Sequence, residues 1–371
     1  MSTSDVTREG VRGQRPGRDA VTGSARVVGE EQRRRHGGRR GGRGEPTRVP
    51  DAEFRSYYGR PVLNQVVWEA PDIGGYLFLG GLAGASSVLA AGAELTGRDA
   101  LARPLKYTAL AAISGSVVAL VHDLGRPERF LNMLRVVKPT SPMSVGTWIL
   151  TGYGPLAGAA AVTAATGWFP RIGRAATLGA AALGPLVATY TAPLVCDTAV
   201  PSWHEGYRHM PFVFAASAVA AAGGAGLVVA PTAQSGPARR AAVGGALVET
   251  AVFTAMRRRM GLAGEPYRLG TAGVFVRAAE ALTLAGAAGA VLGRRSRTVS
   301  ALSGAALLAG SACTRLGVFH AGKQSAADPK YTVLPQRRRM AARAEEALRT
   351  EGAFEAGREA GRAGPRGEAE D

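Results

Sequence analysis

Residues 74–93 read GGYLFLGGLAGASSVLAAGA, twenty positions without a charge. As an α-helix rising 1.5 Å per residue such a run is about 30 Å long, the thickness of a bilayer's hydrocarbon core. Taken alone it fits a membrane-crossing helix or a buried helix of a large soluble protein. Its neighbours decide between the two. Seven further runs of Ala, Leu, Val and Gly follow, at 105–121, 143–166, 175–195, 211–229, 241–256, 271–292 and 299–316. Eight successive runs of this kind specify an all-α integral membrane protein. The sixth is the weakest, being short and carrying Glu249.

Whole-chain averages conceal this pattern, because both ends are polar. Residues 1–61 are rich in Arg and Gly, as in RRRHGGRRGGRG, with too few apolar side chains for a core, and are expected to be a disordered arm. Residues 62–320 form the membrane domain, and 321–371 a charged tail that mixes both signs with Ala. No apolar segment follows the arginine clusters closely enough to make a cleaved signal. Both ends are basic, so the positive-inside tendency places both in the cytoplasm and requires an even number of spans. The net charge of +17 is spread over the arm and the ends of the apolar runs. On a membrane domain such charge points to anionic lipid or a protein partner, and not to nucleic acid.

With this orientation the segments 122–142, 196–210 and 257–270 share the cytoplasmic face. They hold most of the chemically versatile side chains, whereas the opposite connections read as ordinary turns. Two cysteines, Cys196 and Cys313, are too few for a four-thiolate iron–sulfur cluster. None of the five histidines stands mid-span in a pair suited to haem. The expectation is a chain with no metal, haem or cluster of its own, which borrows any metal centre it uses.

Three segments carry a family resemblance: YLFLGGLAG (76–84), HDLGRPERFLNML (122–134) and TYTAPLVCDTAVPSWHE (189–205). The segment AGKQSAADPKYTVLPQR (321–337) adds to it. Together they resemble the NrfD/PsrC family, the membrane subunits of polysulfide-reductase-like and related molybdoenzyme complexes. The resemblance implies eight transmembrane helices in two four-helix bundles and a bound quinone, with menaquinone the first expectation. It further implies a [4Fe–4S] ferredoxin-like partner subunit serving a molybdopterin catalytic subunit. The expected location is a bacterial plasma membrane.

A quinone site needs an apolar slot and one or two hydrogen-bonding groups able to pass protons. Tyr190 is the leading candidate, a phenol near the end of the fourth run between Pro185 and Pro193, which can bend the helix. In the family the matching Tyr hydrogen-bonds the quinone head, although this chain continues Thr-Ala where relatives commonly have Thr-Gly. Asp72 and Tyr76 are four apart and share one helical face. The family places quinone ligands there, while Asp72 following Pro71 also reads as a helix cap. His122 and Asp123 close the second run and would form a proton path at the pocket mouth. They read equally as part of a capped turn.

Beyond Pro127 the repeat of Leu131, Leu134 and Val137 predicts an interfacial helix over 128–137. Arg126 and Arg129 would pair with Asp123 or face the partner subunit, which His204 and Glu205 would also face. Trp203 would cover the quinone ring or anchor the interface. Among acids within spans, Glu249 has no cation in helical reach, and Arg277 and Glu280 are spaced to form an ion pair or a proton path. Gly80 with Gly84, and Gly154 with Gly158, have the spacing of close helix packing. Two other readings stay open, a secondary transporter working through the mid-depth charges and a purely structural anchor.

Overall fold

The computed structural model of the chain describes residues 6–7, 10–11, 62–64, 66–125 and 128–362, with 347–348 and 351–362 described by their helical backbone. The chain divides into two units, residues 1–61 and 62–371. In the first, β1 (Val6–Thr7) pairs antiparallel with β2 (Gly10–Val11), Val6 opposite Val11. The rest of the arm expected over 1–61 lies outside the described residues, as does Arg126.

The second unit is helical. Its elements are α1 (Ala70–Leu95), α2 (Asp99–Asp123), α3 (Glu128–Met133), α4 (Pro142–Thr166), α5 (Pro170–Thr189) and α6 (Thr191–Cys196). Then come α7 (Pro201–His204), α8 (Met210–Val229), α9 (Gly236–Arg259), a 3-10 segment Gly261–Arg268, α10 (Gly270–Leu292), α11 (Arg297–Ala327) and α12 (Lys330–Arg362). Among the described residues, six helices are long and apolar enough to cross a membrane: α1, α2, the α5–α6 pair, α8, α10 and α11. The other two runs also fold as long helices, α4 and α9, but they are more polar. Gly, Thr, Tyr and Pro dilute α4, and α9 carries arginines at both ends as well as Glu249.

Helix boundaries follow local chemistry. Pro71 and Asp72 occupy the first turn of α1, where a missing N–H costs nothing and a carboxylate meets the positive end of the helix. α1 stops at Gly97, whose φ of 67° is left-handed, and Arg98 N donates back to Ala93 O at 2.8 Å. Ser141 caps α4, and Gly167 (φ 75°) ends it. Between α5 and α6 the chain is interrupted at Tyr190. Pro193 has no N–H to offer the carbonyl of Thr189, so the helical hydrogen-bond ladder is broken there, while Tyr190 itself keeps helical dihedrals.

Several boundaries differ from those read in the sequence. The second helix starts at Asp99, ahead of 105, because Leu101 and Ala102 are buried. α3 ends at Met133 instead of 137. There Ser144 accepts from Lys138 N at 3.0 Å and donates to Val136 O at 3.1 Å, holding 136–138 out of helix. The last run continues well past 316, to Ala327, and so takes residues from the segment read as tail. Its extra turns bury Phe319, Ala321 and Ser325 against protein, for which no apolar run is needed. α12 then carries the charged tail as a helix exposed over most of its described side chains.

Neighbouring helices form two sets. α1, α2, α4 and α5 pack in a ring, and so do α8, α9, α10 and α11, with α1 touching α8 and α11. Glycines allow the closest crossings. A Cβ on Gly84 would strike Gly184 O, and one on Gly224 would lie 2.7 Å from Gly304 O. Gly84 therefore packs as its spacing predicts, whereas Gly154 and Gly158 face open space and bring no helices together.

Candidate functional site

Because α1 and α2 run antiparallel, the first turns of α1 lie beside the last turn of α2. His122 Nδ1 donates to Asp72 Oδ2 at 2.8 Å. The His122 side chain is 75% exposed and that of Asp72 19%, so the pair links solvent to the helix interior. Asp123, half-buried, accepts a backbone hydrogen bond from Glu69, the N-cap of α1. It therefore fastens the two helix ends together.

One turn further along α1, Tyr76 is buried and its hydroxyl is hydrogen-bonded to that of Tyr190. The rings meet edge to face with centroids 6.4 Å apart. Tyr190 reaches this position because Gly146 of α4 leaves room for its ring. A Cβ at Gly146 would collide with that ring. An O–H···O pair uses only one of its two hydrogens. Neither phenol oxygen has another hydrogen-bond partner among the described residues, so the buried pair keeps a spare O–H. Four residues separate Asp72 from Tyr76, a rise of about 6 Å, and no hydrogen bond among the described residues bridges that gap.

Trp203 is enclosed, contrary to a side chain free to close over a ligand. Its Nε1 donates to Val318 O at 2.7 Å, its ring stacks on Trp68 at 5.8 Å, and Gly322 lies against its other side. Around it Ser202 Oγ donates to Ala263 O at 2.8 Å, Ser325 Oγ accepts from Ser202 N, and Tyr267 donates to Ser202 O at 3.0 Å. Burial pushes the Tyr267 phenol above the ordinary tyrosine range. The segments 196–210 and 257–270 thus meet each other and the end of α11, at the end of the molecule that holds Asp72. His204 and Glu205 are exposed there, His204 against Tyr207. Arg129 is exposed too, and its guanidinium donates to Leu124 O at 3.1 Å.

The charges of the second helix set are paired differently from the sequence expectation. Glu280 bonds to Arg257 of α9 and not to Arg277, which is exposed, because the α9–α10 contact is nearer than the spacing along α10. Glu249 accepts from Thr314 Oγ1 at 2.7 Å and lies within electrostatic reach of Arg315. Arg315 is fully buried, donates to Phe214 O at 2.8 Å, and sits 3.7 Å from the centroid of the Phe214 ring. Among the described residues, two nitrogens of Arg315 have no hydrogen-bond partner.

Four features escaped the sequence reading: Trp68, Arg315, the Lys106–Glu94 ion pair at 2.7 Å, and Tyr153, bonded to Ser87 at 2.7 Å and Ala83 O at 2.7 Å. For Trp68 a signal existed, since it stands four residues before Asp72 as Asp72 stands before Tyr76. Among the described residues no three His, Cys, Asp or Glu side chains come together as a metal site.

Six membrane-length helices and a cluster of titratable side chains at one end define a multi-pass helical membrane protein. The family model described as polysulphide reductase, NrfD, matches residues 61–263, more than half of the chain, and the protein belongs to the NrfD family. The match contains Asp72, Tyr76, His122, Asp123 and Tyr190, and ends before Arg277, Glu280 and Arg315. No curated protein matches the chain.

Proposed function

We propose that this chain is the quinone-binding membrane anchor of a bacterial molybdoenzyme-type oxidoreductase complex. It crosses the membrane eight times, as two four-helix bundles with both termini in the cytoplasm. Electrons pass between the quinone pool and the [4Fe–4S] clusters of a ferredoxin-like partner, which serves a molybdopterin subunit. The observation that carries this reading is the buried Tyr76–Tyr190 pair with its spare O–H, one helical turn from an Asp72–His122 pair open to solvent. Membership of the NrfD family supports it.

A bound quinone supplies two-electron, two-proton redox chemistry. Tyr76 and Tyr190 would hold a carbonyl oxygen, since the spare O–H can be donated without breaking the pair. Their apolar surroundings exclude water and strengthen that bond. Asp72 and His122 would exchange protons with solvent, His122 taking or releasing one while Asp72 fixes its ring. Asp123 keeps the ends of α1 and α2 in register. Arg129, His204 and Glu205, exposed at the same end, would meet the partner.

Fluorescence-detected binding of a quinone analogue to the chain in lipid nanodiscs tests the reading. Saturable binding that Tyr190→Phe and Tyr76→Phe each weaken by about two- to tenfold, the worth of one hydrogen bond, is the expected result. Saturable binding unchanged in both variants would remove the phenols from the site. A secondary transporter is the second reading, and burial of both Glu249 and Arg315 within the helices favours it. Substrate uptake lost on Glu249→Gln, with no quinone-analogue binding by the native chain, would select it.

A further inference from the structure

At the other end of α1 a cavity of about 180 Å³ opens between the start of α2 and the turn joining α4 to α5. Five charged side chains line it: Glu94, Asp99, Arg103, Lys106 and Arg174. Lys106 is buried and pairs with Glu94 at 2.7 Å, so these two charges offset each other. Asp99 lies in the first turn of α2, against the positive end of that helix. Arg103 donates one N–H to Ala164 O at 2.8 Å and keeps others for a ligand. Arg174 is exposed and makes no hydrogen bond or ion pair among the described residues. Two guanidinium groups at one cavity suit a phosphate, which accepts parallel N–H bonds from each.

The rim has the character of a membrane surface. Phe169, with φ 52°, is the only non-glycine residue in the left-handed region among the described residues. This costly turn directs Trp168 and Phe169 outward, 70% and 67% exposed. Exposed aromatic side chains of this kind sit at the depth of lipid headgroups. Beside lining residues Thr163 and Gly173, Val162 and Ile172 are also exposed, an aliphatic strip along which an acyl chain can lie. We infer that this cavity is a lipid site that takes the phosphate of an anionic phospholipid, its chains lying along α4 and α5. The inference is independent of the quinone reading, because no residue is shared with that site.

The test uses the full chain in detergent, offered equal amounts of phosphatidylglycerol and phosphatidylcholine, with retained lipid read by native mass spectrometry. Phosphatidylglycerol should be retained over phosphatidylcholine, and each arginine removed should cut that preference by about fivefold. Arg174→Ala is the decisive variant, since Arg174 holds nothing else, whereas Arg103→Ala also uncaps α4. Asp99→Asn should raise the preference. Equal retention of both lipids, or a preference unchanged by Arg174→Ala, would overturn the inference. If inorganic phosphate raises the melting temperature as much as phosphatidylglycerol at equal concentration, the site takes soluble phosphate and the lipid assignment fails.

Discussion

Gly146 of α4 lies directly against the ring of Tyr190, with no space for a Cβ between them. The phenol that bonds Tyr76 is thus placed by an absent side chain on a third helix. Gly146→Ala should displace the ring, lower quinone-analogue affinity at least as much as Tyr190→Phe, and cost about 1–3 kcal/mol of stability through overpacking. Parallel binding and thermal-melt measurements on the two variants check this. Tyr190→Phe keeps the ring and should melt closer to the native chain.

His122 and Asp72 stand between solvent and the phenols. His122→Phe and Asp72→Asn should leave analogue affinity within about twofold, since neither side chain bonds a phenol, and should slow quinone turnover by the proposed complex, in whichever direction it runs, on the order of tenfold or more. Steady-state turnover beside equilibrium binding separates the effects. Equal losses in both would make the pair structural.

Arg315 and Glu249 are buried within electrostatic reach of each other, each hydrogen-bonded to another residue, Phe214 and Thr314. Arg315→Met leaves the buried Phe214 O without its donor and Glu249 without its neighbouring cation, so it should cost about 1–3 kcal/mol. Combining it with Glu249→Gln should recover part of that loss. A double-mutant cycle on chemical unfolding in detergent gives the coupling directly.

The glycines separate into two kinds. Gly184→Ala should cost about 1–3 kcal/mol, because its Cβ would run into Gly84 O on α1. Gly154→Ala and Gly158→Ala face open space and should stay within about 0.5 kcal/mol of the native chain. Melting temperatures of the three variants decide it.

Helix positions were legible because each apolar run reports on one helix at a time. The break in the helix at Tyr190 falls between Pro185 and Pro193, which act within their own segment. Partnerships between helices left no such trace. Glu280 stands three residues from Arg277, yet it bonds Arg257 on another helix. Likewise the cation near Glu249, Arg315, lies on α11, where no spacing along α9 could point to it. The last turns of α11 were missed because HAGKQSAA is not apolar, although protein and not lipid covers it. Tyr76 and Tyr190 could be nominated separately from their segments. Only the packing of α1 on α5 brings them together.

That packing has its own bearing on redesign. Tyr76 stands eight residues before Gly84, and Tyr190 six after Gly184, on two helices that touch backbone to backbone at those glycines. The crossing works as a pivot, so a small change there is magnified over about 10 Å of helix before it reaches the hydroxyls. An engineer wishing to retune the phenol pair can leave both phenols alone and work at the glycines. A survey of tolerated substitutions would then find some of its strictest positions where no ligand, proton or partner ever comes.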